Sequence, residues 1–274
     1  MDILDQIDAA WDFGDPAGSE RRFRSLADES EGIELAEVQT QLARSLGLQK
    51  RFNDAHEVLD SISAELRSND SRLNVRWHLE KGRVANSSGD RAGALSSFKT
   101  AWKLAADAGI DFLAIDAGHM IAIASDAPGA LEWNARCLAL AEESCEPRAR
   151  NWQGSLLNNL GWTLMDEGRT DEALEIFQRA VVFRQESGRQ PALNIAYWCV
   201  GHCLRILDRA EDALVIQLNL IESGGDGYAY EEAGECLIAL NRDKEAAPHF
   251  KRAAELLEGQ IDESRLNRLK QLGD

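Results

Sequence analysis

A glycine recurs twelve residues ahead of an alanine at five places in this chain, and that spacing limits the folds open to it. The pairs are Gly82 with Ala94, Gly118 with Ala130, Gly161 with Ala173, Gly201 with Ala213 and Gly234 with Ala246; in a sixth copy Ala43 precedes Ala55. The second-position alanines, Ala55, Ala94, Ala130, Ala173, Ala213 and Ala246, thus mark a ruler of similar but unequal steps. Four residues beyond each stand Leu59, Phe98, Asn134, Phe177, Gln217 and Phe250; seven beyond stand Ile62, Ala101, Cys137, Ala180, Leu220 and Ala253. Self-similarity at such a period marks an array of one supersecondary unit. In the clearest copy, Ser155 to Gly188, residues Leu157, Leu160 and Leu164 share one helical face, as do Leu174, Phe177 and Val181. Gly168 is a stop signal between them, and Thr170–Asp171 reads as the cap of the second helix. Small residues at mid-helix allow close antiparallel approach, and large apolar residues close the contact above and below. One hairpin of this kind cannot bury both faces, so the pattern predicts an all-α array of helix pairs.

The Gly/Ala/Phe/Ala pattern resembles the tetratricopeptide repeat over about residues 33–258. That resemblance implies a right-handed α-α superhelix, a solenoid of antiparallel helix pairs whose first helices line a concave groove. Six repeats are expected, at about 33–68, 70–108, 110–145, 147–188, 190–223 and 226–258. Residues 1–32 are read as a divergent N-terminal hairpin broken at Gly14-Asp15-Pro16, and residues 259–274 as a capping helix with a polar outer face. All steps but the last exceed the family's common period, which calls for longer helices or inter-repeat loops. Asn134 and Gln217 occupy positions that are usually apolar.

Charge narrows the partners. The 30 basic and 47 acidic residues leave a net charge of −17, which opposes binding to a phosphate backbone, so nucleic acid is not expected. The acidic start, MDILDQIDAAWDF, differs from a signal peptide, and no long uncharged apolar run is present. Five cysteines without a Cys-x-x-Cys spacing read as reduced thiols. The expectation is a cytoplasmic protein that does not engage a membrane.

Catalytic signatures are not found. The glycines at 224–227 are not followed by Lys-Ser or Lys-Thr and lack the acidic spacing of a calcium loop. His56-Glu57-Val58-Leu59-Asp60 lacks the second histidine of a zinc-protease motif. Cys199, His202 and Cys203 lie within one helical turn, but Cys203 also suits a core position and a fourth ligand is not evident. The reading is a protein without catalytic residues, cofactor or metal; a hydrolase or metal protein on a solenoid frame is the competing class.

Binding is better supported. The positions three before, one after and four after the register glycine share a face of the first helix. It reads Thr40, Arg44, Gly47; Leu79, Arg83, Asn86; Ile115, His119, Ala122; Asn158, Trp162, Met165; Trp198, His202, Arg205; and Glu231, Glu235, Ile238. In tetratricopeptide proteins this face lines the groove. Arg44, Arg76 and Arg83 concentrate positive charge there, which favours a partner with carboxylates. Trp162, Trp198, His202 and Arg205 are candidate anchors, with His119 on the same face. Asn158 and Asn159 can pair with peptide main chain through donor and acceptor together, a use that kinesin light chains make of groove asparagines. The carboxylate clamp of co-chaperones is not reproduced: consecutive first helices offer Thr40/Arg44, Leu79/Arg83 and Phe112/Asp116. The expected function is a scaffold that binds a peptide or protein segment. The alternative is a sensor whose array changes shape on binding a small molecule or signalling peptide, since bacterial quorum-sensing regulators share the repeat type.

Overall fold

The computed structural model describes residues 2–188 and 190–274. They form helices and connecting turns, with no strand among them. The chain divides into two compact units, Met1–Trp152 and Gln153–Asp274.

In the first unit the helices are α1 (Ile3–Ala10), α2 (Pro16–Asp28), α3 (Gly32–Leu48), α4 (Phe52–Ser61), α5 (Ala64–Asn69), α6 (Ser71–Ser88), α7 (Arg91–Ala108), α8 (Asp111–Ile123), α9 (Ala127–Glu143) and the single turn α10 (Pro147–Arg150). Helices α3 and α4, α6 and α7, and α8 and α9 pack as consecutive pairs, and α3 also packs on α6. The second unit holds α11 (Gln153–Asp166), α12 (Thr170–Ser187), α13 (Gln190–Ile206), α14 (Ala210–Glu222), α15 (Gly227–Ala239), α16 (Asp243–Leu257) and α17 (Glu263–Gly273). Each of these packs on the next.

The register glycines explain the pairing. A methyl group on Gly161 would lie 2.5 Å from the ring of Phe177, and one on Gly82 would strike the ring of Phe98 in the same way. In these two hairpins, and in the one that joins Gly234 to Phe250, the second helix presses an aromatic ring onto the bare backbone of the first. Phe98, Phe177 and Phe250 are fully buried or nearly so. The first hairpin has the buried Leu59 at this position, and the two polar exceptions are no less buried: Asn134 Oδ1 and Gln217 Oε1 have no hydrogen-bond partner among the described residues. Gln217 Nε2 instead donates weakly to the Trp198 carbonyl at 3.4 Å.

Local chemistry sets the helix ends. Asp70, Asp90, Asp126 and Asp226 accept from backbone N–H groups in the first turns of α6, α7, α9 and α15. Gly89, Gly109 and Gly188 take left-handed conformations just past α6, α7 and α12. The expected Thr170–Asp171 cap is corrected: Thr170 is the first helical residue, Arg169 is at the cap, and no side chain caps α12. Arg169 instead pairs with Glu172 at 2.6 Å, and Arg209–Asp212 and Arg242–Glu245 repeat that arrangement at the starts of α14 and α16. Two of the long steps have a structural cause. The short helix α5 lies inside the step from Ala55 to Ala94, and α10 inside the step from Ala130 to Ala173.

Candidate functional site

In the first unit the arginines singled out from the sequence lie against carboxylates. Arg76 and Arg72 share Glu37, at 3.0 and 2.8 Å. Arg83 contacts Glu80 at 2.6 Å and Asp116 at 2.5 Å. The Arg76 and Arg83 side chains are only 9% and 12% exposed, so their charge is spent inside the fold. The expected concentration of free positive charge on Arg44, Arg76 and Arg83 is therefore corrected to Arg44 alone. Burial works against a charged Asp116, yet the neighbouring Arg83 and Arg44 hold its carboxyl below the usual carboxylate range. Burial also pulls His119 below the ordinary imidazole value, with Asp116 opposing and Arg83 reinforcing the shift. The His119 ring lies 5.2 Å from that of Trp152.

Arg44 is half-buried and carries no ion pair among the described residues. Its guanidinium lies 5.4 Å from the Trp11 ring centre and 5.2 Å from that of Phe13. Trp11 Nε1 donates to Gln41 Oε1 at 3.1 Å. At the other end of α1, Asp8 pairs with Arg148, far along the chain. Ile7, Asp8, Trp11 and Phe13 thus close one side of a cavity of about 470 Å³, with residues of α3, α6, α8 and α10 opposite. The groove positions Thr40, Leu79 and Ile115 are buried, against the expectation that they line an open face. Asp8, Trp11, Phe13, Arg148 and Trp152 were not among the sequence-derived site residues. Their proximity depends on a contact between the two ends of the first unit, which no local pattern reveals.

The second unit gathers its candidates on α11 and α13. Trp198 and His202 are stacked, with ring centres 5.0 Å apart and planes at 10°. Trp162 lies 6.2 Å from Trp198 and 5.8 Å from His202. All three are half-buried, so the aromatic cluster keeps a solvent-facing edge. Trp198 Nε1 donates to the Tyr228 carbonyl at 3.0 Å, which fixes the indole. Glu232, buried on α15, takes His202 Nδ1 at 3.0 Å and Arg205 Nε at 2.5 Å. Burial opposes its charge, but these two bonds hold its carboxyl below the usual range. Glu231, an expected groove residue, is instead buried and held by Arg265 at 2.7 and 3.0 Å.

Asn158 and Asn159 line a cavity of about 250 Å³ with Ser155, Arg184, Ile195 and Ala196. Asn158 is half-buried, and its side chain makes no hydrogen bond among the described residues. Ile195, 57% exposed, also lines a larger cavity of about 630 Å³ with Asn194, Trp198, Tyr228 and Arg265. Ile195 therefore links the amide-bearing cavity on α11 to the apolar one between α13 and α15. The sequence-derived face missed Ile195 because it lies one helical turn before Trp198, beyond the positions considered.

The Cys199/His202/Cys203 trio is not arranged for metal. Burial pushes the thiols of Cys199 and Cys203 up to about 12, and His202 is turned to Glu232. No cluster of three His, Cys, Asp or Glu side chains suited to a metal occurs among the described residues. No described helix is long and apolar enough to cross a membrane.

Residues 154–187 match the tetratricopeptide repeat family. No curated protein matches the chain. Among solved structures, the apo form of RapI superposes with a TM-score of 0.77 at 12% identity, over 98% of this chain and 80% of that one. A signal transduction ATPase with numerous domains and a tetratricopeptide repeat sensor, from Pyrococcus horikoshii, gives 0.74 at 12% identity, over 94% of this chain and 42% of that one. The apo quorum sensor NprR from B. thuringiensis gives 0.62 at 14% identity, over 98% and 80%. The chain thus carries a tetratricopeptide repeat at residues 154–187 and has the fold of tetratricopeptide repeat proteins, a solenoid of paired helices.

Proposed function

We propose that the protein is a non-catalytic scaffold that binds a peptide or protein segment on the α11–α13 wall of its second unit. The observation that carries this reading is the run of amide, aromatic and apolar groups through two cavities that share Ile195. Asn158 has both its donor and its acceptor unspent, so it can pair with the main chain of an extended segment. An apolar side chain two or three residues along that segment then enters the cavity beside Ile195 and Trp198, where burial against rigid aromatics supplies most of the affinity. Trp198, bound to the Tyr228 carbonyl, and the stacked His202 are held in place before any partner arrives, which lowers the ordering cost of binding.

A sensor role is the second reading. It is favoured by the similarity to proteins described as a quorum sensor and as carrying a tetratricopeptide repeat sensor. In that version the bound segment is a signal, and its effect passes through α15, which receives Arg205 and His202 at Glu232. The five cysteines are free thiols, which supports a reducing, cytoplasmic setting.

Panning a displayed library of random twelve-residue peptides against the whole protein tests the wall. Peptides retained by the wild type, measured by fluorescence anisotropy, should bind Asn158→Ala and Trp162→Ala about tenfold or more weakly. Unchanged affinity in both variants, with helicity intact by circular dichroism, would contradict the assignment.

A further inference from the structure

We infer that the cavity beneath α1 in the first unit is a separate binding site for a small aromatic monocarboxylic acid, with Arg44 as its anchor. The argument starts from charge. Five arginines (Arg44, Arg72, Arg76, Arg83 and Arg148) lie on this cavity or directly behind it, and the carboxylates in direct ion pairs with them are Asp8, Glu37, Glu80 and Asp116. Four of the arginines have a carboxylate partner, and Glu37 serves two of them. Arg44 makes no ion pair among the described residues: the faces of Trp11 and Phe13 lie beside it, and Glu80 and Asp116 act on it only from beyond ion-pair distance. Burial and the like charges of Arg83 and Arg76 pull its guanidinium below its ordinary value, while Glu80 and Asp116 oppose the shift without making an ion pair with it.

The rest of the lining selects among anions. A single guanidinium without an ion-pair partner suits a monoanion; a phosphate dianion would bring a second charge into a site already holding Asp8, Glu80 and Asp116. A planar guanidinium takes a carboxylate through two parallel hydrogen bonds. Trp11, Phe13, Phe112 and Trp152 supply aromatic surface, and Ile7 and Leu79 supply aliphatic surface. A flat apolar body attached to the carboxylate fits those walls. The volume, about 470 Å³, falls in the range of small-molecule sites, about 300–1,000 Å³. Gln41, whose carbonyl oxygen accepts from Trp11, holds one wall in place. The inference uses none of the residues of the α11–α13 wall, so either site can fail without the other.

Calorimetric titration of the full chain with naphthalene-2-carboxylate, its neutral amide and a short peptide ending in a free phenylalanine carboxylate tests it. The acid should saturate one site and bind about tenfold or more tightly than the amide. Arg44→Gln should abolish that preference, and Arg44→Lys, which keeps the charge but not the fork, should retain part of it. Three results would overturn the inference: no saturable binding of the acid to the wild type, equal binding of acid and amide, or an acid preference that survives in Arg44→Gln. Arg44-dependent binding of the peptide without binding of the acid would also overturn it, by assigning the cavity to a chain terminus.

Discussion

Asp116 is ion-paired to Arg83 of the preceding repeat, and its removal isolates how much the first unit depends on its internal ion pairs. It contacts Arg83 at 2.5 Å, and both side chains are nearly closed to solvent. Asp116→Ala leaves Arg83 with Glu80 only and should cost about 3 kcal/mol in urea denaturation, because a buried charge loses a partner. The pH dependence has a definite sign. The folded Asp116 carboxyl is held below the usual range, so the unfolded chain binds the extra proton. Its contribution is complete above the ordinary carboxylate value of about 4 and is lost as pH falls through the depressed folded value. Asp116→Asn should therefore flatten the loss of stability on acidification; an unchanged slope would show that the pair does not titrate with folding. At this scale the sequence is a poor guide. Arg76 and Arg83 stand on the helix that periodicity selects, but the carboxylates they reach on other helices are Glu37, one repeat earlier, and Asp116, one repeat later. Helical spacing says which way a side chain leaves its helix and is silent on which carboxylate waits on the next one.

The hairpin is the element that the sequence describes best, because its two halves are joined by a short turn and must meet at a set register. Gly161 faces Phe177, and the same offset brings Gly82 to Phe98 and Gly234 to Phe250. Gly161→Ala places a methyl 2.5 Å from the ring, and overpacking should outweigh the gain in helix propensity, for a net loss of about 1–3 kcal/mol. Phe177→Leu should cost less in the Gly161→Ala background than alone, since the smaller side chain relieves the clash. Strict additivity of the two changes in chemical denaturation would contradict the glycine–ring account. The same offset meets Gln217 at Gly201, where an added methyl would strike the side-chain amide nitrogen. The register thus persists where the side-chain chemistry changes. What the pattern does not show is the identity of the inserted pieces: α5 and α10 lengthen their steps as short helices, and neither has the glycine–alanine spacing that identifies the repeats.

Over the whole molecule, the two compact units part at Trp152–Gln153, between Ala130 and Ala173, the longest step of the register. The candidate residues divide between them. Arg44, Arg76, Arg83 and His119 belong to a unit whose face is covered by α1; Asn158, Asn159, Trp162, Trp198, His202 and Arg205 belong to one whose cavities open on α11 and α13. In the first unit, burial of Ile3, Ile7 and Ala10 holds α1 to the core and Asp8 pairs with Arg148, so the acidic N-terminal stretch lies over the arginines. The central claim is that the second unit's wall meets the partner, and its tryptophans report on this directly. The chain has seven tryptophans, of which Trp77 is buried and serves as an internal control. With 5-fluorotryptophan incorporated and resonances assigned by substitution, fluorine NMR of the full chain with a library-selected peptide should show saturable shifts at Trp162 and Trp198 and none at Trp77. Saturable shifts confined to Trp11 and Trp152, with Trp162 and Trp198 unmoved, would contradict the account.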